Sequence, residues 1–310
     1  GVARLLPGTA GERSFPMKKF WLSLTVSSLA LAGLSGCNLI TVLNPKGPQA
    51  EIQSDTIIFS MYVMAGILII VYALFIFMIV KYRAKNQPID YEPPYIKGNT
   101  WLEIIWTAIP IIIVIVLSVV TVKTTFQVES TPAGHEKDEP LVIYAASSNW
   151  KWHFSYPELG IETVNYVNIP TDRAVEFKLY SYGPITSFWI PQLAGQKYAM
   201  SDMVTTLHLV ADEEGDYFGR NANFSGEGFA QMEFICEAMS EEEFNEWADE
   251  VQTAAEPLTE EEFDELLDTE YMGIATYSST HLDFKPAPVW PFHQPDEEGG
   301  SNTGTDGHTH

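Results

Sequence analysis

Two long apolar runs dominate the first half of the chain. Thr56 to Val80 is 25 residues without a charge, and Ile104 to Val122 is 19 residues interrupted only by Pro110. As a helix, each is long enough to cross about 30 Å of hydrocarbon, and a helix satisfies its own backbone where no water is available. The pattern therefore predicts a transmembrane hairpin over 56–125, with a kink at Pro110, which cannot donate a backbone hydrogen bond.

After a polar linker bearing Pro132, Gly134 and Pro140, the hydrophobic period changes. Leu141–Tyr144, Trp150–Tyr156, Thr163–Ile169, Ala174–Tyr180, Ile185–Ile190, Val204–Val210, Asp216–Phe218 and Phe229–Cys236 are short β-rich runs punctuated by Gly, Pro, Asn and Asp. Such spacing predicts an all-β sandwich or barrel over 139–239. Alternation in Trp150–Tyr156 puts Trp150, Trp152 and Phe154 on one face, read as core. Lys151, His153 and Ser155 fall on the other, and His153 reads as a surface histidine. Ser240-Glu241-Glu242-Glu243 and Thr259-Glu260-Glu261-Glu262 are capping boxes, each opening a short amphipathic helix within a 240–284 extension. The segment 285–310, rich in Pro, Gly and acids, reads as a disordered tail.

The N-terminal region has the form of an export signal. Met17-Lys18-Lys19 is a basic start, Phe20 to Ala32 is apolar, and Leu34-Ser35-Gly36-Cys37 has the shape of a lipoprotein cleavage box. On this reading 1–36 is an upstream extension plus signal peptide, Cys37 is the lipidated mature terminus, and 37–55 is a linker. The alternative is an ordinary cleavage site followed by a buried or free thiol. Cys236 is the only other cysteine, so an acylated Cys37 excludes an intrachain disulfide or a thiolate cluster; the Phe234-Ile235-Cys236 setting reads as a core strand. The segment between the apolar runs, 81–100, carries Lys81, Arg83, Lys85 and Lys97, against Lys46 alone before the first run. That bias puts the connecting loop in the cytoplasm, with the N-terminus and β-domain outside. The net charge of −24 with a pI near 4.5 excludes a nucleic-acid binder.

Three motifs together resemble subunit II of the haem-copper terminal oxidases. Glu103-Ile104-Ile105-Trp106-Thr107-Ala108-Ile109-Pro110 is similar to the family's Glu-x-x-Trp-Thr-x-x-Pro. Trp150-Lys151-Trp152 is similar to its aromatic group beside the copper. Tyr217-Phe218-Gly219 precedes a stretch where the family carries Cys-x-Glu-x-Cys-x-x-x-His-x-x-Met. Here the two bridging-thiolate positions are Asn221 and Ser225, the Glu position is Asn223, and the second His position is Phe229. The first His position, ahead of Ser187-Phe188-Trp189-Ile190-Pro191, is Thr186. Met232 alone is kept. A dinuclear copper site needs thiolates and imidazoles, so the resemblance implies a cupredoxin-like Greek-key domain that binds no metal.

The relatives in which this copper relay has been lost are quinol oxidases, of the menaquinol-oxidising aa3 type or the ubiquinol-oxidising bo3 type. The resemblance implies a subunit of a membrane complex that oxidises quinol, reduces dioxygen to water and pumps protons. It implies no cofactor in this chain, with haems and the catalytic copper in subunit I. Subunits I, III and IV and the lipid bilayer are the implied partners, with the quinol reached through the complex. Glu103 occupies the position of a carboxylate at the cytoplasmic mouth of a proton path, though a Glu in a first helical turn is also favoured by the helix dipole alone. A different class stays open: a membrane-tethered, copper-free cupredoxin lipoprotein with a binding or assembly role and no oxidase partner.

Overall fold

The structure is a computed structural model, and it describes residues 41–83, 98–132, 134–135 and 139–289. Cys37, the loop cations Lys85 and Lys97 and the segment 290–310 lie outside the described residues.

Two helices open the described chain, α1 (Pro48–Lys81) and α2 (Thr100–Glu129). Each extends beyond its apolar run at both ends, because the flanks carry helix-starting chemistry. Pro48 sits in the first turn of α1, and the Asn99 side chain accepts from the backbone N–H groups of Trp101 and Leu102 at the start of α2. Their outward faces stay exposed along nearly the whole apolar length, as expected of helices that meet lipid or another membrane subunit. These are the two membrane-spanning helices of the hairpin, and Pro110 lies inside α2.

The β-domain is a sandwich of eleven strands. They are β1 (Leu141–Ser148), β2 (Lys151–Tyr156), β3 (Ile161–Val164), β4 (Tyr166–Pro170), β5 (Val175–Ser181), β6 (Thr186–Trp189), β7 (Lys197–Ala199), β8 (Thr205–Leu209), β9 (Gly215–Asn221), β10 (Glu233–Met239) and β11 (Ala275–Tyr277). One sheet runs β11-β3-β2-β1-β5-β8 and the other β4-β10-β9-β6-β7. The pairs β1/β5 and β4/β10 are parallel, so the strands cross between sheets in the cupredoxin-like manner expected. The run Thr163–Ile169 divides into β3 and β4 at Asn165, whose φ of 60° turns the chain from one sheet to the other. The run Phe229–Cys236 also divides, since Glu227–Gln231 forms a 3-10 turn before β10 begins. Inner faces meet in an aromatic core in which Phe188 stacks on Phe234 at 5.0 Å and Trp152 meets Phe188 edge-on at 5.1 Å. Cys236 is buried in β10, as the sequence suggests, and burial pushes its thiol up, away from thiolate chemistry.

Both N-caps hold their helices, and at Ser240 the reciprocal bond from Glu243 completes the capping box. Ser240 accepts from Glu243 N–H at the start of α3 (Glu241–Ala254), and Thr259 accepts from Glu262 N–H at the start of α4 (Glu260–Asp268). α3 packs Phe244, Ala248 and Val251 into the sandwich core, β11 extends the six-stranded sheet beside β3, and α4 lies over the outer face of that sheet, which becomes the middle layer of three there. All six residues of β2 are consequently buried. His153 is fully buried, not a surface histidine: alternation places it away from the sandwich core, as read from sequence, but Phe263 of α4 covers that second face, with ring centroids 5.3 Å apart. Trp150 also departs from expectation. It belongs to the β1–β2 turn with φ of 62°, and its ring lies at the domain's edge instead of in the core.

Candidate functional site

Four of the six positions matched by resemblance to the family's copper ligands, Thr186, Asn221, Ser225 and Met232, come together at one end of the sandwich, where hydrogen bonds tie the strands to the loop. β9 delivers Asn221 fully buried at its last residue, and β6 begins with Thr186 buried opposite. The Asn221 Oδ1 accepts from the backbone N–H of Ser187 at 2.8 Å and of Asn223 at 3.0 Å, while its Nδ2 donates to Ser225 Oγ at 2.9 Å. One amide thus ties β6 to the loop and folds the loop upon itself, a small, fixed set of bonds made by the two residues standing at the bridging-thiolate positions. Leaving such buried donors without an acceptor costs about 1–3 kcal/mol each.

Thr186, Ser225 and Met232 share the wall of a cavity of about 80 Å³ with Ser147, Ser148, Ser181 and Trp150. Thr186 Oγ1 lies 2.8 Å from Ser147 Oγ. The other two positions turn elsewhere. Asn223 donates to the carbonyl of Ile185 at 2.9 Å, and Phe229 packs edge-on against Phe224 at 5.5 Å, outside the residues lining the cavity. This donor set does not fit a dinuclear copper centre: it offers an amide and hydroxyls already engaged with one another, a phenyl ring and one thioether, where thiolates and imidazoles are required. Among the described residues no group of three or more His, Cys, Asp or Glu side chains is arranged to hold a metal.

Trp150 closes the cavity's rim. Its Nε1 donates to Ser225 O at 3.2 Å, and its ring stacks on Tyr271 at 5.7 Å. A Cβ on Gly228 would lie 2.5 Å from the indole, and Gly226 adopts φ of 114° beside it, so both glycines permit the ring's seat. Sequence alternation could not reveal this placement, because Trp150 sits in a left-handed conformation usually left to Gly or Asn.

Sequence reading also passed over a second group. His153, Glu162 and His281 are all fully buried behind the sheet, with Ser148 linking the group to the cavity wall through a 2.7 Å contact to His153 Nε2. The signal available was Glu162 at the edge of a β-rich run, a charged residue that falls in a strand covered on both faces. Glu103 stands apart from all of this, exposed in the first turn of α2.

Residues 44–124 match the family model described as cytochrome C oxidase subunit II, transmembrane domain. Quinol oxidase subunit 2 of Bacillus cereus (strain ATCC 10987 / NRS 248) is 49% identical over 270 residues, covering 86% of this chain and 92% of that protein. Quinol oxidase subunit 2 of Bacillus subtilis (strain 168) is 51% identical over 252 residues, covering 81% and 78%. Among solved structures, the periplasmic domain of subunit II of cytochrome oxidase from Bradyrhizobium japonicum is 19% identical, covering 35% of this chain and 91% of that one, with a TM-score of 0.34.

If the cavity end is a cupredoxin metal shell with its ligands exchanged, restoring them should restore metal, provided the ion draws the side chains at 223 and 229 inward from the partners that Asn223 and Phe229 face. Combining Thr186→His, Asn221→Cys, Asn223→Glu, Ser225→Cys and Phe229→His with the native Met232 should yield a coloured protein holding two coppers per chain, while the unmodified protein holds none tightly. Metal analysis and visible absorption of both proteins check this; tightly held copper in the unmodified chain would defeat it.

Proposed function

The chain belongs to the quinol oxidase subunit 2 family, and on that footing we propose that it serves a respiratory complex that oxidises quinol, menaquinol first, reduces dioxygen to water and pumps protons outward. In it the chain is a non-redox subunit II. The observation that carries this reading is the Asn221–Ser225 bond standing where bridging thiolates would stand. Without a metal relay at its water-exposed end, the β-domain has no means of taking electrons from a soluble donor, which suits a substrate that delivers them inside the membrane. The haems and the catalytic copper then belong to subunit I, with subunits III and IV completing the complex. Purified in detergent, the complex is expected to show haem absorption and oxygen uptake driven by quinol and not by reduced cytochrome c. Oxygen uptake with cytochrome c would overturn the assignment.

The orientation follows from the basic residues between the helices: the connecting loop faces the cytoplasm, and the N-terminus and β-domain face outward. Cys37 carries the lipid of a mature N-terminus, and thioether plus amide-linked chains give stable anchoring beside the hairpin. Intact-mass measurement should find a chain starting at a lipid-modified Cys37. A mass beginning at Met17, or at an unmodified Cys37, would contradict it; Cys37→Ala should lose the lipid yet stay in the membrane through α1 and α2.

Glu103 assists proton entry from the cytoplasmic side. What supports this is a carboxylate left exposed beside Trp106, Thr107 and Pro110 at the helix start, while Asn99 already caps the first turn, so the helix does not need Glu103 for that purpose. Glu103→Ala should slow quinol-driven oxygen uptake with haem content and assembly unchanged, and Glu103→Asp should be milder. Full turnover and pumping in Glu103→Ala would leave the residue a helix-start carboxylate.

A further inference from the structure

The first two turns of α1 are set into the β-domain. Lys46 N–H donates to Gln192 O at 2.7 Å, Asp212 N–H donates to Lys46 O at 2.9 Å, and Gln49, Ala50 and Ser54 are buried. A Cβ on Gly47 would lie 2.2 Å from Val210 O, so the chain enters the helix in close contact with the domain. Next along the helix, Gln53 stands between two adjoining cavities where hairpin and domain meet. The first, of about 300 Å³, lies between α1 and α2 with Thr56, Thr124 and Thr125 on its wall. The second, of about 230 Å³, reaches the domain at Gly195, Lys197 and His208. Gln53, Val128 and Glu129 belong to both. Thr56 opens the apolar run of α1, and Thr124 follows closely on the end of the α2 run at Val122. The two cavities therefore form one crevice at the level where hydrocarbon gives way to water.

The polar groups of this crevice differ in what they offer. Thr56 Oγ1 donates to Ile52 O at 2.7 Å, Thr124 Oγ1 to Val120 O at 3.0 Å and Thr125 Oγ1 to Thr121 O at 2.8 Å. Each hydroxyl has spent its only proton inside its own helix, and its oxygen presents lone pairs alone. The side chains of Gln53 and His208 make no hydrogen bond among the described residues. Gln53 is nevertheless held in place: a Cβ on Gly195 would fall 2.4 Å from its amide nitrogen, so glycine at 195 leaves the amide its seat. Lys197 pairs with Glu129, and burial lowers the His208 imidazole below its ordinary 6.5, which favours its neutral form. One cation and one anion balance, and the crevice has no surplus charge.

We propose that this crevice seats a neutral membrane amphiphile whose head carries hydroxyl groups, with its tail along the apolar faces of α1 and α2. The threonine oxygens require a donor, Gln53 and His208 can each donate or accept, and the balanced charge gives no grip on a phosphate. Ile57 and Val128 flank the polar groups on the side where a tail would leave. A few polar groups set in an otherwise apolar cleft of this size are the usual form of a small-molecule seat. A bilayer offers this chemistry from two sources, a quinol and a sugar-bearing glycerolipid. Only the quinol source rests on the quinol oxidase reading; the seat itself rests on the geometry of this chain.

Photolabelling of the complex in its own membranes tests this, with labelled peptides mapped by mass spectrometry. The photoreactive probes are a menaquinol analogue kept reduced, a glycosyl diacylglycerol and a phosphatidylglycerol. The quinol or the glycolipid should label the peptides holding Gln53, Thr124 or His208, and an excess of the same compound without the photoreactive group should abolish the signal. Gln53→Met and Thr124→Val, close in shape but without the polar atoms, should each lower the yield about three- to tenfold, the weight of one hydrogen bond, with haem content unchanged. Labelling by the quinol identifies the quinol pool as the source. Labelling by the glycolipid alone identifies a lipid, and that result supports the seat even where oxygen uptake shows that the complex does not use quinol. The proposal is overturned if neither neutral probe labels these peptides, if phosphatidylglycerol labels them as strongly, or if either variant labels like the wild type. Should one variant fail to assemble, the other decides.

Discussion

Two backbone N–H groups, those of Ser187 and Asn223, point into the same buried corner of the sandwich and need one acceptor between them. Asn221 supplies it, and its other amide atom holds Ser225. Nearly everything distinctive about this end of the molecule depends on that arrangement. It fixes the start of β6 to the end of β9. It sets the path of the loop whose glycines receive Trp150, and it leaves Thr186, Ser225 and Met232 around a small hydroxyl-lined cavity. A metal would bind the same strands together with coordination bonds; here a side-chain amide does so with hydrogen bonds, whose directionality makes the corner specific even though each contributes modestly.

The other constraint is the third layer. A sheet with helices on its outer face must either make that face apolar or satisfy whatever polar groups it keeps. This domain does some of each. Phe263 and Leu266 cover part of the face, while Lys151, His153, Ser155 and Glu162 are retained there and answered by carbonyls and by His281 from the covering segment. The polar layer gives the attachment its register: Asn149, Lys151 and Asn165 each meet a particular carbonyl, which a purely greasy contact would not specify.

Much of this organisation is legible in the sequence because it rests on local signals. The hairpin announces itself by run length and the two short helices by Ser240 and Thr259 with their following glutamates, while the positions matched to metal ligands are legible only through resemblance to the family motif after Tyr217-Phe218-Gly219. What escapes is what depends on a distant layer. A strand facing water and a strand facing a second polar surface alternate in the same way, so His153 looked exposed until α4 was placed over it. Trp150 looked like a core residue because its neighbours are, yet a left-handed turn removes it from the strand. Strands β7 and β11, three residues each, are too short to carry a period. The loop of Asn223 and Phe229 shows a further limit, since equivalence in spacing brought Asn221, Ser225, Thr186 and Met232 together but left those two side chains facing other partners.

An amide and a hydroxyl are present in the chain from the moment of synthesis. A corner closed by Asn221 and Ser225 is complete as soon as the strands meet, whereas a thiolate-bridged one must wait for an ion and must stay reduced until the ion arrives. The corner of this subunit therefore closes with no coordinated ion and no reduced thiol at these positions. Its only described thiol, Cys236, lies sealed in the core. Neither metal starvation nor thiol oxidation has a point of attack on the closing of this corner.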